Sequence, residues 1–266
     1  MSAHEPAGRG LSRRRFLQWA ALGGATLALP PVLRAAPPSP RPVRIRGRVT
    51  AGRRGLAGVG VTDGLSMAAT GADGAFELVT STRQPFVSLC LPAGYRIPQN
   101  PTGTARFYQP LHPNASGEAE AVFEVEKLPQ PDERHAFLVL ADTQTQNEYE
   151  LDLLHAQTVP DIQQFVPTLG GVPVFGVACG DIMFDNLEFY PEYERAVERT
   201  GLPFFQVVGN HDLDFEAYTD PGSTVTFRQH FGPTYYSFDR GAVHYVVLDD
   251  VFWHHAGYFG YLDDAQ

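Results

Sequence analysis

The chain has 266 residues, of which 43% are apolar, and it carries 20 basic and 30 acidic side chains. That length and apolar content suit one large domain or two modest ones. The acidic balance argues against a nucleic acid as a partner, because phosphate backbones are bound by clustered lysines and arginines.

Residues 1–36 have the composition of an export signal. Ser12-Arg13-Arg14-Arg15-Phe16-Leu17 is a twin-arginine pattern, and a short apolar run interrupted by glycine follows it at residues 19–29. The sequence therefore predicts a bacterial twin-arginine signal peptide that engages that export machinery, and a periplasmic or secreted mature protein. The alternative is a basic, disordered N-terminus that contains an apolar helix.

Removal of this segment, which holds five arginines and one glutamate, leaves 15 basic and 29 acidic residues and a net charge of −14. No later apolar run reaches the 18 residues that a spanning helix needs, so we expect no stable membrane span after cleavage. A phosphate substrate would need local positive charge to overcome this acidic field.

Residues 37–42 form a proline-rich linker, and residues 43–128 then have an all-β pattern. Short alternating segments are separated by turn signals such as Asp63-Gly64 and Asp73-Gly74. Six or seven such strands predict a small β-sandwich module. The segments Gly47–Val49, Gly55–Val61 and Thr70–Phe76 resemble the carboxypeptidase-regulatory-like sandwich modules, which implies a structural or docking role.

A second polar linker at residues 129–134 precedes a region, residues 135–266, with a different periodicity. Apolar strands alternate there with helical segments, in an order that predicts a largely parallel sheet with covering helices. The predicted strands are 136–141, 172–179 and 204–208, and the predicted helices are 148–156, 161–166 and 191–199. Two further strands are predicted on either side of the Arg240-Gly241 turn, and residues 262–266 are expected to begin a helix.

Polar side chains follow each of the three apolar strands. Asp142, Gln144, Asp181 and Asn210 offer oxygen atoms, and His211 offers an imidazole. Because sequential parallel strands place their carboxyl ends at one edge of a sheet, these side chains are expected to lie close together. Oxygen-rich ligands with a nearby imidazole suit Mn²⁺, Fe or Zn²⁺, and two such ions ~3.5–4 Å apart can clamp a phosphoryl group.

The same residues resemble a known family. Asp142-Thr-Gln144, Gly180-Asp181 with Asp185, and Gly209-Asn210-His211-Asp212 are similar to the first three blocks of the calcineurin-like metallophosphoesterases. The resemblance implies an α/β (α+β) metallophosphoesterase sandwich, of which residues 135–266 would be the N-terminal part, preceded by the small all-β domain. It also implies two divalent metal ions and a small phosphate mono- or diester as the substrate.

Roles for individual residues follow only from this resemblance. Asp142 and Gln144 would bind the first metal, Asp181 would bridge both, and Asn210 would bind the second. His211 would be the catalytic residue that contacts the phosphate and protonates the leaving oxygen.

The sequence departs from the family pattern in three ways. Gln144 replaces the commoner histidine, and Asp185 lies four residues after Asp181 rather than three, which favours a supporting or helix-capping role. Asp212 would either orient His211 or cap a turn. The family also completes its site with a later histidine and a Gly-His-x-His block, whereas this sequence contains no Gly-His pair. We therefore expect an incomplete sandwich without the C-terminal histidine ligands, and low activity.

Two readings of the function stay open at this point. One is an exported metal-dependent phosphoesterase, and the other is a non-catalytic exported binding protein or degenerate relative that uses the β-sandwich. Among the remaining residues, Cys90 and Cys179 are expected to be two buried free thiols, and His244 is expected to be a packing residue in its strand.

Overall fold

A computed structural model of the chain describes residues 39–264 and 266. The predicted signal peptide, residues 1–36, and the first part of the proline-rich linker lie outside these residues. Residues Pro40–Gln266 form one compact unit. Within the part of the chain that is described, no helix has the length and apolar character needed to cross a membrane.

Residues 42–124 form eight strands that build two four-stranded sheets. In the first sheet, β1 pairs antiparallel with β2 and β5 and parallel with β8; in the second, the order is β4-β3-β6-β7, and every pairing is antiparallel. The strands are β1 Pro42–Ala51, β2 Arg54–Gly55, β3 Gly60–Thr62, β4 Met67–Ala69, β5 Ala75–Ser81, β6 Phe86–Leu89, β7 Tyr108–Pro110 and β8 Glu118–Glu124.

Alternation along β1 decides which of its faces is buried. Val43, Ile45 and Val49 are at most 1% exposed, whereas the intervening arginines point to solvent. Gly47 lies between β5 and β8, where a Cβ atom would collide with the Ala121 carbonyl oxygen and the Phe76 ring. A glycine is therefore required here for the two neighbouring strands to approach β1.

The predicted parallel sheet is confirmed. Its strands are β9 Ala136–Ala141, β10 Val174–Cys179 and β11 Phe204–Val207, and they lie side by side in the order β11-β10-β9. Both pairings are parallel, with Cys179 opposite Ala141 on one side and Val207 on the other. One face of the sheet, which includes Ala178 and Phe204, packs against the helices in a buried cluster.

The helices differ in part from the prediction. The two helices predicted at 148–156 and 161–166 are one continuous helical segment: α1 Glu148–Leu153, a π-helical turn Leu154–Thr158, α2 Val159–Phe165 and a final 3-10 turn Val166–Leu169. Pro160 lacks an N–H, and the wider turn before it absorbs the lost hydrogen bond without ending the helix. Helix α3, Tyr190–Thr200, covers the predicted residues 191–199 and ends at Gly201, whose φ is 72°.

The C-terminal part contains short elements. These are α4 Asp220–Ser223, α5 Val225–Phe231, the hairpin β12 Tyr236–Arg240 and β13 Val243–Val247, and the hairpin β14 Val251–Trp253 and β15 Tyr258–Gly260. The first hairpin was predicted and the second was not. The expected helix from residue 262 is wrong for residues 262–264, which are not helical.

One aromatic core joins the two regions. Phe107 of the first region lies 5.7 Å from Phe205 of β11, and Phe205 stacks on Phe238 of β12 at 4.0 Å, measured between ring centroids. The backbone N–H of Ala105 donates to the Phe204 carbonyl at 2.7 Å, so a segment of the first region pairs with the edge of β11. The parallel sheet thus has the helices on one face and the aromatic core on part of the other.

The second face of the sheet is only partly covered. Phe137 and Val139 on β9 are 46% and 51% exposed, whereas Phe175, which lies opposite Phe137 on β10, is 1% exposed. The prediction of two buried cysteines is also wrong. Cys179 ends β10 on this open face and is exposed, and Cys90 is half-buried; both are free thiols.

Candidate metal centre at the strand ends

The three parallel strands end side by side, and this sets the geometry of the candidate site. Ala141, Cys179 and Val207 share one level of the sheet. Asp142 follows the first of these residues directly, Gly180-Asp181 follows the second, and Val208-Gly209-Asn210 follows the third. The segments that carry the predicted ligands therefore leave the sheet at neighbouring points.

The backbone is strained at the predicted ligands. Among the described non-glycine residues, positive φ angles occur at Asp142 (48°), Gln144 (42°), Asp181 (46°), Asp185 (65°) and His255 (32°). Four of these five are candidate site residues. Left-handed conformations are unfavourable for residues with a Cβ and persist only where the surroundings fix them, which makes functional sites a common place for them.

Hydrogen bonds between the loops hold these conformations. The backbone N–H of Gln144 donates to the Asp181 carbonyl at 2.8 Å, and the Asp185 N–H donates to the His211 carbonyl at 3.2 Å. The Thr143 hydroxyl donates to the Ile182 carbonyl at 2.9 Å. Each of the first two strand ends is thus tied to the loop that follows the next strand.

Gly209 allows the second and third strand ends to touch. A Cβ atom on Gly209 would collide with the backbone nitrogen and a carboxylate oxygen of Asp181. The glycine before Asn210 is therefore required by close approach of the two loops, whatever role Asn210 has.

Asp181 is the centre of the group. It is 8% exposed, its Oδ1 accepts a hydrogen bond from the His211 N–H at 3.0 Å, and its Oδ2 accepts one from Gln144 Nε2 at 3.0 Å. A carboxylate has about four lone-pair positions, so both oxygens retain capacity for a further ligand. This carboxylate meets the loops after β9 and β11 at once.

His211 is held by two neighbours that sequence reasoning did not assign to it. Its Nδ1 lies 2.7 Å from Asp185 Oδ1, and its ring stacks on Phe184 with a centroid distance of 4.1 Å. These contacts fix the plane of the ring and occupy one of its nitrogens, Nδ1. The displaced spacing of Asp185, four residues after Asp181, thus places its carboxylate beside the imidazole.

Asp212 lies beneath the site. It is fully buried, and its carboxylate accepts hydrogen bonds from the N–H groups of Gly209, Ile182 and Met183 and from the Tyr190 hydroxyl, at 3.0–3.2 Å. Burial raises the pKa of Asp212 to about 6, while these hydrogen bonds act in the opposite direction. Asp212 joins the loops after β10 and β11, whereas the hydrogen bond to the His211 ring comes from Asp185.

Asn210 and Asp142 stand at the outside of the group. Asn210 is half-buried at the start of a 3-10 turn, Asn210–Asp212, and Asp142 is exposed. Among the described residues, no hydrogen bond joins either side chain to the other predicted ligands. Asp142 lies near Cys179, where its charge adds to burial in raising the pKa of the thiol.

The donor set agrees with a divalent cation that prefers oxygen. Two carboxylates, Asp142 and Asp181, and two side-chain amides, Gln144 and Asn210, are the atoms that Mg²⁺ or Mn²⁺ accepts, and they include no thiolate. Strained backbone at three of these four residues is consistent with ligands that are held in place before an ion binds.

Sequence reasoning missed Phe184 and Tyr190. Phe184 directly precedes Asp185 in the loop after β10, and only the fold brings its ring against His211. Tyr190 begins α3, and its hydroxyl donates a hydrogen bond to Asp212 Oδ1 at 3.0 Å. Neither residue belongs to a spacing pattern that would have singled it out.

Comparison with known proteins gives one match. Residues 43–128 match the family model described as N terminal of Calcineurin-like phosphoesterase, and they make up about a third of the chain. No curated protein and no solved structure matches the chain. The match supports the calcineurin-like phosphoesterase family and falls on the all-β region, not on the strand ends that carry the candidate ligands. Members of that family generally use divalent metal ions.

Proposed function

We propose that this protein is a metal-dependent phosphoesterase that hydrolyses small phosphate mono- or diesters with two divalent ions. The observation that carries the proposal is the group at the strand ends, where Asp181 lies against both Gln144 and the His211 backbone. The family match on residues 43–128 supports the same class of hydrolase from a separate part of the chain.

The residues that would hold the ions are Asp142, Gln144, Asp181 and Asn210. Bound divalent cations would supply positive charge beside the phosphate and make an attacking water more acidic. This local charge matters because the chain as a whole is acidic and would otherwise repel a phosphate.

His211 would handle the proton. With Nδ1 directed at Asp185, the protonated ring presents an N–H at Nε2 that donates to the leaving oxygen. Asp185 fixes the orientation of the imidazole through Nδ1, and Phe184 keeps the ring in its plane. His211 would then act beside Asp181 without serving as a metal ligand.

Export by the twin-arginine route belongs to the same proposal. A protein that folds before export can carry its metal ions with it, which suits a metal-dependent enzyme. Replacing Arg13 and Arg14 by lysine is expected to retain the protein in the cytoplasm of a host that has this pathway, as cell fractionation would show. Export of the variant at the level of the original would contradict this part.

Hydrolysis of bis(p-nitrophenyl) phosphate and p-nitrophenyl phosphate in the presence of Mn²⁺ tests the activity. Asn210→Ala is expected to lose the activity that the full chain shows, because it removes one ligand without altering the buried loops. Asn114→Ala, an exposed asparagine in a turn of the all-β region, is the matched control.

Three outcomes separate the readings. Turnover that depends on Asn210 but not on Asn114 supports the proposal. Turnover that is equal in both variants contradicts the assignment of the site. Tight Mn²⁺ binding without turnover of either substrate would favour the non-catalytic binding protein.

A further inference from the structure

The hairpin β12–β13 brings a carboxylate and an imidazole together on its outer face. Asp239 and His244 are directly opposite in the register, and their side chains lie 2.6 Å apart between Oδ1 and Nδ1. Phe238 and Tyr245, the preceding opposite pair, stack at 5.0 Å on the inner face. Because side chains alternate along a strand, Asp239 and His244 must point away from that core.

Cys90 comes to the same place from a distant part of the chain. Leu91 forms a parallel bridge with Phe238, and the Asp239 N–H donates to the Leu91 carbonyl at 2.8 Å. Leu91 and Phe238 are both buried in the aromatic core, so Cys90, one residue earlier, faces the side that carries Asp239. Its Sγ lies 3.6 Å from the Ser237 hydroxyl, which belongs to that outer face as well.

The ligand-capable atoms of these three residues form a compact triangle. One atom each from Cys90, Asp239 and His244 lies within 4.8 Å of the other two. In a tetrahedral zinc site the ligand atoms lie about 3.4–3.6 Å apart, given metal–ligand bonds of roughly 2.0–2.3 Å. Small side-chain rotations that open the Asp239–His244 contact and bring in the thiol would meet that geometry.

We propose that Cys90, Asp239 and His244 form a second metal site, which binds Zn²⁺. The thiolate separates this site from the strand-end group, whose four predicted ligands offer only oxygen. Three protein ligands leave the fourth tetrahedral position open. His244 and Ser237 also line a cavity of about 280 Å³, so this position is accessible to water or a small ligand.

The site would connect the two regions of the molecule. Cys90 follows β6 in the region that matches the family model, whereas Asp239 and His244 belong to the hairpin that covers the parallel sheet. An ion bound by all three would hold β12–β13 against the end of β6. Zinc is therefore expected to raise the stability of the folded chain, because it binds a site that the unfolded chain does not have.

Cobalt titration of the full chain, reduced and freed of metal, tests the proposal. Co²⁺ is expected to give a thiolate-to-cobalt charge-transfer band in the near ultraviolet, and Zn²⁺ is expected to abolish it by displacement. Cys90→Ser should remove the band, and Cys179→Ser is the matched control that should retain it. This control distinguishes the two candidate sites, because Cys179 is the thiol that lies beside Asp142 of the strand-end group.

Competition titration measures how much Zn²⁺ affinity each variant loses. Residues that only hydrogen-bond a ligand contribute roughly 10–100-fold to metal affinity, so loss of the thiolate should cost at least about 100-fold. His244→Asn should also weaken Zn²⁺ binding, and it keeps a polar side chain on the exposed face. Both variants should melt at the same temperature as the original chain when EDTA is present.

Absence of the band in the original chain, or a band that depends on Cys179 and survives in Cys90→Ser, would overturn the proposal. The three-residue site would be overturned if the band depends on Cys90 but His244→Asn leaves the Zn²⁺ affinity unchanged. Neither result depends on phosphoesterase activity, because the readout is thiolate ligation.

Discussion

The molecule contains two groups of metal-capable side chains that are built in opposite ways. The strand-end group comes from three successive strands of one parallel sheet, and each of its loops is only a few residues long. The hairpin group, Cys90, Asp239 and His244, joins residues almost 150 positions apart through a bridge between β12 and the end of β6. Local sequence motifs at successive strand ends produce the first group. The second group forms only because the tertiary fold pairs two distant segments.

The two groups also differ in backbone strain. Asp142, Gln144 and Asp181 have positive φ angles, whereas Asp239 and His244 lie in regular strands. The buried Asp212 supports the segment that follows Asp181, because its carboxylate accepts hydrogen bonds from the N–H groups of Ile182, Met183 and Gly209. The strand-end group is therefore expected to be rigid before metal binds, and the hairpin group is expected to adjust when metal binds.

The largest expected effect separates the two groups by activity. Asp181→Asn should lower hydrolysis of bis(p-nitrophenyl) phosphate with Mn²⁺ by about a thousandfold or more, since metal-ion stabilisation of phosphoryl transfer amounts to several kcal/mol. Steady-state kinetics with saturating Mn²⁺ measures it. Asp161→Asn, on the exposed side of α2, should leave the rate unchanged. Cys90→Ser should likewise retain the activity. A thousandfold loss of activity in Cys90→Ser would mean that the two groups do not act independently.

Sequence reasoning worked where local rules place side chains. The strands at 136–141, 174–179 and 204–207 were predicted within two residues, because apolar runs that end in polar residues are typical of buried parallel strands. Parallel pairing then brings the three ends together, so the neighbourhood of Gln144, Asp181 and His211 followed from chain order alone.

Sequence reasoning failed where packing decides. Burial of Cys179 was predicted from its apolar run, yet the residue ends a strand on an open face and is exposed. His244 was predicted to pack inside, and its side chain is 54% exposed because it lies on the outer face of the hairpin, opposite Asp239. The roles of Asp185 and Phe184 depend on how two loops cross, which no spacing rule specifies.

A second experiment compares how much a carboxylate at each group contributes to the stability of the fold. Asp212→Asn should lower the free energy of unfolding by about 2–4 kcal/mol, because the amide turns an N–H₂ toward buried groups that are all donors. Asp239→Asn should cost less than about 1 kcal/mol, since its pair with His244 is about half exposed. Urea denaturation in EDTA measures both values. Equal losses would show that the strand-end loops do not depend on the buried carboxylate.

A third experiment tests how His211 is positioned. Asp185→Asn should lower kcat by about 10–100-fold, less than the roughly 10²–10⁴-fold that general acid catalysis contributes, because His211 itself remains, while KM and Mn²⁺ affinity change little. Asparagine tolerates the left-handed conformation at this residue, where φ is 65°, so the loop should keep its shape. A large rise in KM with unchanged kcat would instead assign Asp185 to substrate binding.

The smallest expected effect tests the space around the hairpin group. Gly60 lies in β3 beside Cys90, and a Cβ atom there would lie 3.3 Å from the Cys90 Cβ. Gly60→Ala should push the thiol aside by a few tenths of an ångström and weaken Zn²⁺ binding by up to about tenfold, or about 1.4 kcal/mol. Gly71→Ala, whose Cβ would have no contact closer than 3.6 Å, is the control. Competition titration measures both. Because the strand-end ligands do not touch Gly60, an equal loss of Mn²⁺ affinity in this variant would mean that the two groups are not independent.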